Sequence, residues 1–423
     1  MSQKLVDKTQ CYENTNFMSD IPNDFLEQTE QLISSQQAIV LPGGKTELAS
    51  LLYKANQSKK QLRIKLGVDP TNIDLHLGHT VCFQLLKRFL ELGHKPVLII
   101  GGFTAAVGDP SGQNDARPPL NYEQVQANSK TYLIQIGKIL DTNKIEIVNN
   151  YDWLSKLTSS DLVRLSHLVT VNQLIDKEAF GVRISSAQPL YLHEVLYPIL
   201  QGYDSYFVKA DIEIGGIDQT YNVLFGRRIQ KHFGQNEQLV ILLPLLIGLD
   251  GTKKMSKTFK NYIALNDEPN EIFGKSMSIP DELIIHYFSL ATDMPTEDIK
   301  TYEQDLKNGK NPKDIKMTLA HKLVLQLYDK PIADNARENF IKQFKLNEIP
   351  ENIEQFPLKE SITITDLMCA AKMVPSKAEA KRLIQGGGVK LKSDKVNDPN
   401  YLVTQNDKNS VLQIGKRKFV RIV

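Results

Sequence analysis

His76-Leu77-Gly78-His79 is the first of four clusters whose residue types and spacing could do chemistry. Two imidazoles three positions apart lie on one helix face and can donate hydrogen bonds to phosphate oxygens. The N–H groups of a helix start favour an anion, and Gly78 lets a ligand approach the backbone closely. The same residues would also serve as a helix cap with solvated histidines, or as half of a metal site. Lys254-Met255-Ser256-Lys257-Thr258, after the Asp250-Gly251 turn, is the second cluster. Such a segment is either a solvated surface loop or, placed opposite His76 and His79, a mobile clamp of point charges on phosphates. The third is Tyr197, Gln201 and Asp204, spaced i, i+4, i+7, with Asp218-Gln219 at the next helix start. A polar stripe inside a Leu-rich helix implies a polar cavity, unless these groups only cap helices and satisfy one another. The fourth is a charge asymmetry. Residues 361–423 carry twelve Lys and Arg against five Asp and Glu, a net +7 in a chain whose total is +2. A basic terminal module on a mildly acidic body points to a polyanionic partner.

The elements that must position these groups follow from hydrophobic periodicity. Ile64, Leu66 and Val68 alternate as a buried strand that stops at Asp69-Pro70. A helix with Phe83, Leu86, Phe89 and Leu90 on its apolar stripe follows, capped by Gly93, and then a second strand, 95–100. In such a βαβ unit ligands bind beyond the carboxyl ends of the strands, so Asp69, His76, His79 and Asp109 should share one rim. A helix is expected over about 121–140 after Pro118-Pro119, a strand over 146–149, and a helix-rich stretch to about 175 around Trp153, itself a core or interface residue. Residues 208–214 alternate as a strand ending in Gly215-Gly216, and the apolar run 239–247 suits a central parallel strand. The pattern is helical from 266 to 344, and 345–360 is a polar linker. Beyond it, Ser376 and Glu379 form a capping box for a helix bearing Lys377, Lys381 and Arg382. Gly386-Gly387-Gly388 ends that helix, and short strands carry Lys416, Arg417 and Lys418. Basic elements on a small α/β module fit shape-based RNA binding.

The bulk numbers set bounds. A chain of 423 residues has room for two or three domains, and its apolar runs are too short or too broken to span a bilayer. The first 60 residues hold several acids and no Arg, which argues against a transit peptide, and no signal peptide is visible. Cys11, Cys82 and Cys369 form no C-x-x-C, so a reducing cytoplasm is the expected compartment. Residues 1–45 read as an arm with a short helix near 23–34, before a helix capped by Thr46.

The histidine and lysine clusters together, in this order, resemble those of class I aminoacyl-tRNA synthetases. Gly67-Val68-Asp69-Pro70-Thr71, Gly108-Asp109-Pro110-Ser111-Gly112, the Tyr197 to Asp204 face and Gly216-Ile217-Asp218-Gln219 look like the bacterial tyrosyl branch. The last module resembles an S4-type RNA-binding domain. The similarity covers about 60–265 and 361–423. It implies an α/β fold: a Rossmann-like catalytic domain with a parallel sheet (46–265), a helical domain (266–350) and a small S4-like domain (361–423), after an N-terminal arm (1–45). It implies two steps, activation of L-tyrosine by ATP to tyrosyl-adenylate and transfer to the 3′ end of tRNA(Tyr), in a homodimer with no membrane partner. Mg2+ would accompany ATP, with no tightly bound cofactor and no protein metal site.

By the same resemblance Thr71, His76, His79, Lys254, Lys257 and Thr258 are catalytic. Asp69, Gly78, Gly216, Asp218 and Arg117 join Lys257 around ATP. Gly67, Asp109, Tyr197, Gln201, Asp204 and Gln219 hold tyrosine, with Asp204 at the phenol hydroxyl. Lys377, Lys381, Arg382, Lys416, Arg417 and Lys418 face RNA. The sequence departs from the best-studied branch at Lys65, where that branch has a tyrosine touching the phenol, and at Gln113, Cys82 and Leu66. The rival expectations are a tryptophanyl-type synthetase and an inactive synthetase-derived RNA-binding protein.

Overall fold

The six strands of the larger sheet are β1 (Ile39–Leu41), β2 (Arg63–Val68), β3 (Lys95–Ile100), β4 (Glu146–Asn149), β5 (Ile212–Gly216) and β6 (Leu239–Leu243). The computed structural model describes residues 21–71, 73–109, 122–175, 178–345, 353–392, 394–415 and 418–423. The strand order is β1-β6-β5-β2-β3-β4, parallel throughout except for β1, which runs antiparallel to β6. The chain steps outward from β2 to β3 and β4, then returns to lay β5 on the other side of β2. The switch point of this doubly wound α/β fold is therefore the crevice between β2 and β5, where such sheets take ligands. Central strands are apolar on both faces because helices cover both. Ile64, Val97, Ile212, Val240 and Ile241 are completely buried. The helix Leu77–Glu91 lies on β2, β3 and β5 with Phe83, Leu86 and Phe89 inward, and Gly93 follows it at φ +82°, the left-handed value of a helix stop.

Several expected boundaries move. Residue Val208 is the C-cap of the helix Leu192–Phe207, and Lys209 at φ +51° turns the chain before β5 begins at Ile212. The apolar alternation continues across that turn, so periodicity alone merges the two. β6 lies inside the sheet, parallel to β5 on one side, while β1, inside the stretch read as an arm, pairs antiparallel along its outer side. A three-residue strand is too short to announce itself by pattern. The helix after residue 121 is Tyr122–Ile136 and gives way to turns at Gly137. Thr46 sits within the first turn of Gly44–Gln57, whose N-cap is Gly43 at φ +77°.

Residues up to Ala333 form one compact unit and those from Asp334 a second. Beyond the sheet, the first contains helices Pro269–Met277, Ile284–Ala291, Thr296–Lys307 and Pro312–Leu327. In the second, a sheet in the order Asp394–Lys395, Val389–Leu391, Val411–Ile414, Lys418–Ile422, Glu354–Phe356 is covered by helices Ile364–Ala370 and Lys377–Gln385. Leu367, Met368, Ile384, Val389, Leu412 and Ile422 belong to its own core.

Gly202 allows the helix Leu192–Phe207 to approach Thr220–His232. A Cβ there would lie 3.0 Å from Phe225 Cδ1 and 3.1 Å from Ile229 Cγ1, whereas one on Gly274 would meet nothing within 4 Å. Gly202→Ala is therefore expected to destabilise by about 1–3 kcal/mol through overpacking. Gly274→Ala, inside Pro269–Met277, is expected to stabilise by about 0.5–1 kcal/mol. Urea unfolding midpoints that move in the same direction for both would contradict this packing.

Candidate active site

One wall of the β2–β5 crevice is built by a helix start. His76 is the N-cap of Leu77–Glu91, and its Nδ1 accepts the Gly78 N–H at 3.2 Å. Nδ1 of His79 lies 3.2 Å from the His76 N–H in the reciprocal half of the same capping box. His79 Nδ1 also lies 3.2 Å from the His76 carbonyl oxygen, and both rings line the cleft. Burial holds both imidazoles neutral. His79 is lowered to about 4, with Lys257 adding to the effect, and His76 falls well below its ordinary value through burial, His79 and the two lysines. The glycine between them has a second use. A Cβ on Gly78 would sit 3.0 Å from the His76 ring and push it off its cap.

The lysine segment forms the facing wall. Lys254 Nζ lies 2.7 Å from Asp218 Oδ2, and Lys257 Nζ 3.7 Å from Asp74 Oδ2. Burial lowers the Lys257 ammonium while Asp74 opposes it. The Thr258 N–H donates to Ser256 Oγ at 3.2 Å. What anchors the segment is Asn261, a buried side chain that sequence reasoning passed over. Its Nδ2 donates to Asp250 Oδ2 (2.9 Å) and to the Lys254 carbonyl (3.2 Å), and its Oδ1 accepts the Ser256 N–H (2.8 Å).

The other end of the crevice is a polar pocket under the helix Leu192–Phe207. The Tyr197 hydroxyl donates to Asp69 Oδ2 at 2.9 Å and Thr104 Oγ1 to Asp69 Oδ1 at 2.8 Å. Burial and Asp69 push the Tyr197 phenol well up, so it stays a donor. Asp109 accepts from Gln219 Nε2 (2.6 Å) and Asn222 Nδ2 (3.4 Å). Gln201 Nε2 donates to Glu213 Oε1 at 3.3 Å, and its Oε1 is buried with no hydrogen-bond partner among the described residues. Asp204 accepts from Trp153 Nε1 (2.8 Å) and Asn150 Nδ2 (3.1 Å). Burial pushes its carboxyl up to about 7, against the opposing pull of Lys65, Asn150 and Trp153. A side chain on Gly67 would point into open space.

Thr71, Gly78, Gly216 and Asp218 line one continuous cleft of about 600 Å³ with both histidines, both lysines and the Tyr197–Gln201–Asp204 face. Arg117, Gln113 and the rest of 110–121 lie outside the described residues. Cys82 and Leu66 line the cleft, and burial raises the Cys82 thiol to about 12, which leaves it inert. Four partners escaped the sequence: Asn150, Trp153, Glu213 and Asn261. Trp153 carried a usable signal, because a buried indole N–H needs an acceptor, and so did Glu213, a charge inside an apolar strand.

The basic residues expected to face RNA belong to the second compact unit. Lys377 pairs with Asp366 (2.5 Å), Arg382 with Glu379 (2.7 Å), and Lys418 Nζ donates to the Met373 carbonyl (2.6 Å). Lys381 is exposed, and Lys416 and Arg417 lie outside the described residues.

A switch-point crevice with neutral imidazoles and lysines at one end, and a polar pocket at the other, suits a nucleotide beside a small polar molecule. Residues 57–345 match the family of class I tRNA synthetases (W and Y), and 344–422 match the tyrosine–tRNA ligase SYY-like C-terminal domain. The tyrosine–tRNA ligase of Carboxydothermus hydrogenoformans is 42% identical over 95% of this chain and 99% of its own length. That of Thermotoga maritima is 45% identical over 86% and 91%. Among solved structures, a C-terminally truncated mitochondrial tyrosyl-tRNA synthetase from Aspergillus nidulans matches with TM-score 0.62 at 19% identity, over 76% of this chain and 99% of that one. The Archaeoglobus fulgidus enzyme, solved with L-tyrosine, gives 0.59 at 20%, over 74% and all of its length. The chain belongs to the class I tRNA synthetases of the W and Y family. Its activity, more particularly, is ATP-dependent tyrosine–tRNA ligation.

The buried rings carry a pH signature. In the unfolded chain both histidines would take up protons near pH 6.5. The native state binds fewer, so stability should rise with pH between about 4 and 6.5. Imidazole NMR signals of His76 and His79 should show no titration between pH 6 and 8; a midpoint near 6.5 for either would mean that ring is solvated.

Proposed function

We propose the following division of labour within the cleft. Tyrosine lies with its phenol at Asp204 and its ammonium among Asp69, Asp109, Tyr197 and the unpartnered Oε1 of Gln201, while Gly67 leaves room for its backbone and Gln219 aligns its carboxylate. ATP lies along Gly78, Gly216 and Asp218, with Asp218 at the ribose. One carboxylate oxygen of tyrosine attacks the α-phosphorus, the new O–P bond forms, and pyrophosphate leaves with the bridging oxygen. No protein nucleophile is needed, so catalysis consists of alignment and stabilisation of charge on the phosphates. Thr71 and the neutral rings of His76 and His79 serve the α-phosphate; Lys254, Lys257 and Thr258, aided by Arg117, serve the departing pyrophosphate. In the second step the terminal ribose hydroxyl of tRNA(Tyr) attacks the tyrosyl carbonyl and AMP leaves. Mg2+ belongs to the ATP substrate, held by its phosphates.

The observation that carries this reading is that neutral imidazoles and lysines line the same crevice as the Tyr197–Gln201–Asp204 face. Neutral rings suit donors to an anion that must be released as well as held. We infer that residues 46–265 form the catalytic domain, 266–350 a helical domain, and 361–423 the tRNA-binding module through Lys377, Lys381, Arg382, Lys416, Arg417 and Lys418. We further infer a homodimer. Ile134, Val163, Val171 and Leu192 are between 58% and 76% exposed, and a second copy of the chain would cover such side chains. A cytoplasmic setting is our reading of three widely spaced cysteines, and among the described residues no helix is long and apolar enough to cross a membrane.

ATP–pyrophosphate exchange with tyrosine, phenylalanine and tryptophan side by side tests the amino-acid assignment. Tyrosine alone should support it; exchange with tryptophan would favour the tryptophanyl rival, and none at all the inactive RNA-binding one. His79→Ala and Lys257→Ala should each slow adenylate formation by about 10²–10³-fold, the usual effect of losing one donor to a developing anion. Tyrosine affinity should change by less than about twofold, and an equal loss there would contradict their roles. Replacing Lys381, Lys416 and Arg417 by Ala should raise the tRNA KM and flatten its salt dependence without touching pyrophosphate exchange. An unchanged tRNA KM would remove the module from RNA binding.

A further inference from the structure

Beneath the amino-acid pocket lies an ion pair that the catalytic reading does not use. Lys65 on β2 and Glu213 on β5 are register partners across the switch point, and both are about 1% exposed. Lys65 Nζ lies 2.8 Å from Glu213 Oε1 and donates to Ser205 Oγ (2.7 Å) and to the Gln201 carbonyl (3.0 Å). The other Glu213 oxygen accepts from Ser205 Oγ (2.9 Å) and Gln238 Nε2. Every donor of the ammonium has a partner, so the pair is fully built. Yet it is a poor way to gain stability, since apolar residues of the same volume commonly fold as well or better. Its position suggests another use.

Two groups that face the cavity depend on it. Because Glu213 accepts the Gln201 Nε2–H at 3.3 Å, the carbonyl end of that amide is the end turned away from Glu213. That Oε1 is the buried acceptor left unpartnered. Asp204 is the second. Asn150 and Trp153 face it as neutral donors, Tyr197 stands two turns before it with Asp69 and Asp109 beyond, and Glu213 opposes its ionisation. Lys65 supplies the positive charge in this set.

We propose that the Lys65–Glu213 pair is the positioning element that sets amino-acid specificity: Lys65, bonded to the Gln201 backbone carbonyl and to Ser205 on either side of Asp204, places a fixed positive charge behind the acceptor of the substrate hydroxyl, and Glu213 locks Gln201 with its side-chain carbonyl toward the substrate ammonium. This rests on the placement of tyrosine given above. A neutral acid at Asp204 could donate as well as accept, and phenylalanine would then strand it at less cost. A charged acceptor, by contrast, rejects a substrate that brings no donor. The lysine thus takes over part of what a second hydroxyl contact would do.

The test is kcat/KM for tyrosine and phenylalanine in pyrophosphate exchange, on the full chain, from pH 6 to 9. In the unmodified enzyme the tyrosine value should rise through a midpoint near 7 while phenylalanine stays flat. In Lys65→Met the midpoint should move to higher pH, with the tyrosine preference at pH 7 reduced about tenfold or more and recovering toward pH 9. In Glu213→Gln the midpoint should move to lower pH, while both amino acids lose kcat/KM together. A structural role would move neither midpoint. Should a lone buried charge unfold a single variant, the neutral pair Lys65→Met/Glu213→Gln decides. A weakened, upward-shifted preference in a protein that melts normally supports the proposal; an unaltered profile overturns it, as would unchanged selectivity in Lys65→Met. Asp204→Asn separates the two layers. If that variant kept full preference for tyrosine, the placement of the phenol would be wrong, whatever Lys65 does.

Discussion

Two backbone hydrogen bonds, Leu77 N–H to the Ile263 carbonyl (3.0 Å) and Leu265 N–H to the Leu75 carbonyl (3.0 Å), join segments almost two hundred residues apart. They form around an antiparallel bridge between His76 and Ala264. Through it the helix start that bears the imidazoles is fastened to the chain just beyond the lysine segment. Ile263 and Leu265 are completely buried and Ala264 nearly so, which makes the bridge part of the core rather than a surface contact. The catalytic geometry follows from this. The histidines can point only from a helix N-terminus at the carboxyl end of β2, and the lysines can reach that point only if the return segment is held against it.

The same enclosure sets the charge states. An imidazole in low dielectric surroundings with lysines nearby disfavours its cation, while a carboxyl group so enclosed disfavours its anion. The site uses both effects in opposite ways. At His76 and His79 burial prevails, against only a backbone hydrogen bond at His79, and gives neutral rings. At Asp204 it is countered by one buried ammonium and two neutral donors, so the carboxyl settles at about 7 rather than far above. A fold with the same sheet but a solvated rim could not make this distinction.

How much of this was legible beforehand depends on sequence distance. The helix start, the lysine segment and the polar face Tyr197–Gln201–Asp204 are local patterns, and the structure brings them to one cleft because a βαβ topology sends strand ends to one rim. The partners that tune them are long-range. Trp153 reaches Asp204 across 51 positions, and Lys65 meets Glu213 from 148 positions away. Both charges sit inside apolar strands, RIKLGV and IEIGG, where a buried strand should carry none. That anomaly was readable as two buried charges of opposite sign. Without the strand order nothing paired them. Asn261 left no such trace, since an asparagine after a loop is ordinary until its side chain is seen to hold the loop's backbone.

The two ends of the cleft answer opposite demands with opposite physics. Discrimination between amino acids that differ by one oxygen requires acceptors that cannot relax or recruit water, hence a buried network in which nearly every donor and acceptor already has a protein partner. Release of pyrophosphate requires the reverse. A fully buried, paired lysine there would hold the product; in the roles proposed above, Lys254 and Lys257 sit on a loop, part-exposed, against carboxylates at 2.7 and 3.7 Å that they can leave. Lys65 could not do the work of Lys257, nor Lys257 that of Lys65. The difference lies in the backbone each is attached to: a central strand locked by ladder bonds on both sides, or a loop held by one isolated bridge and one asparagine.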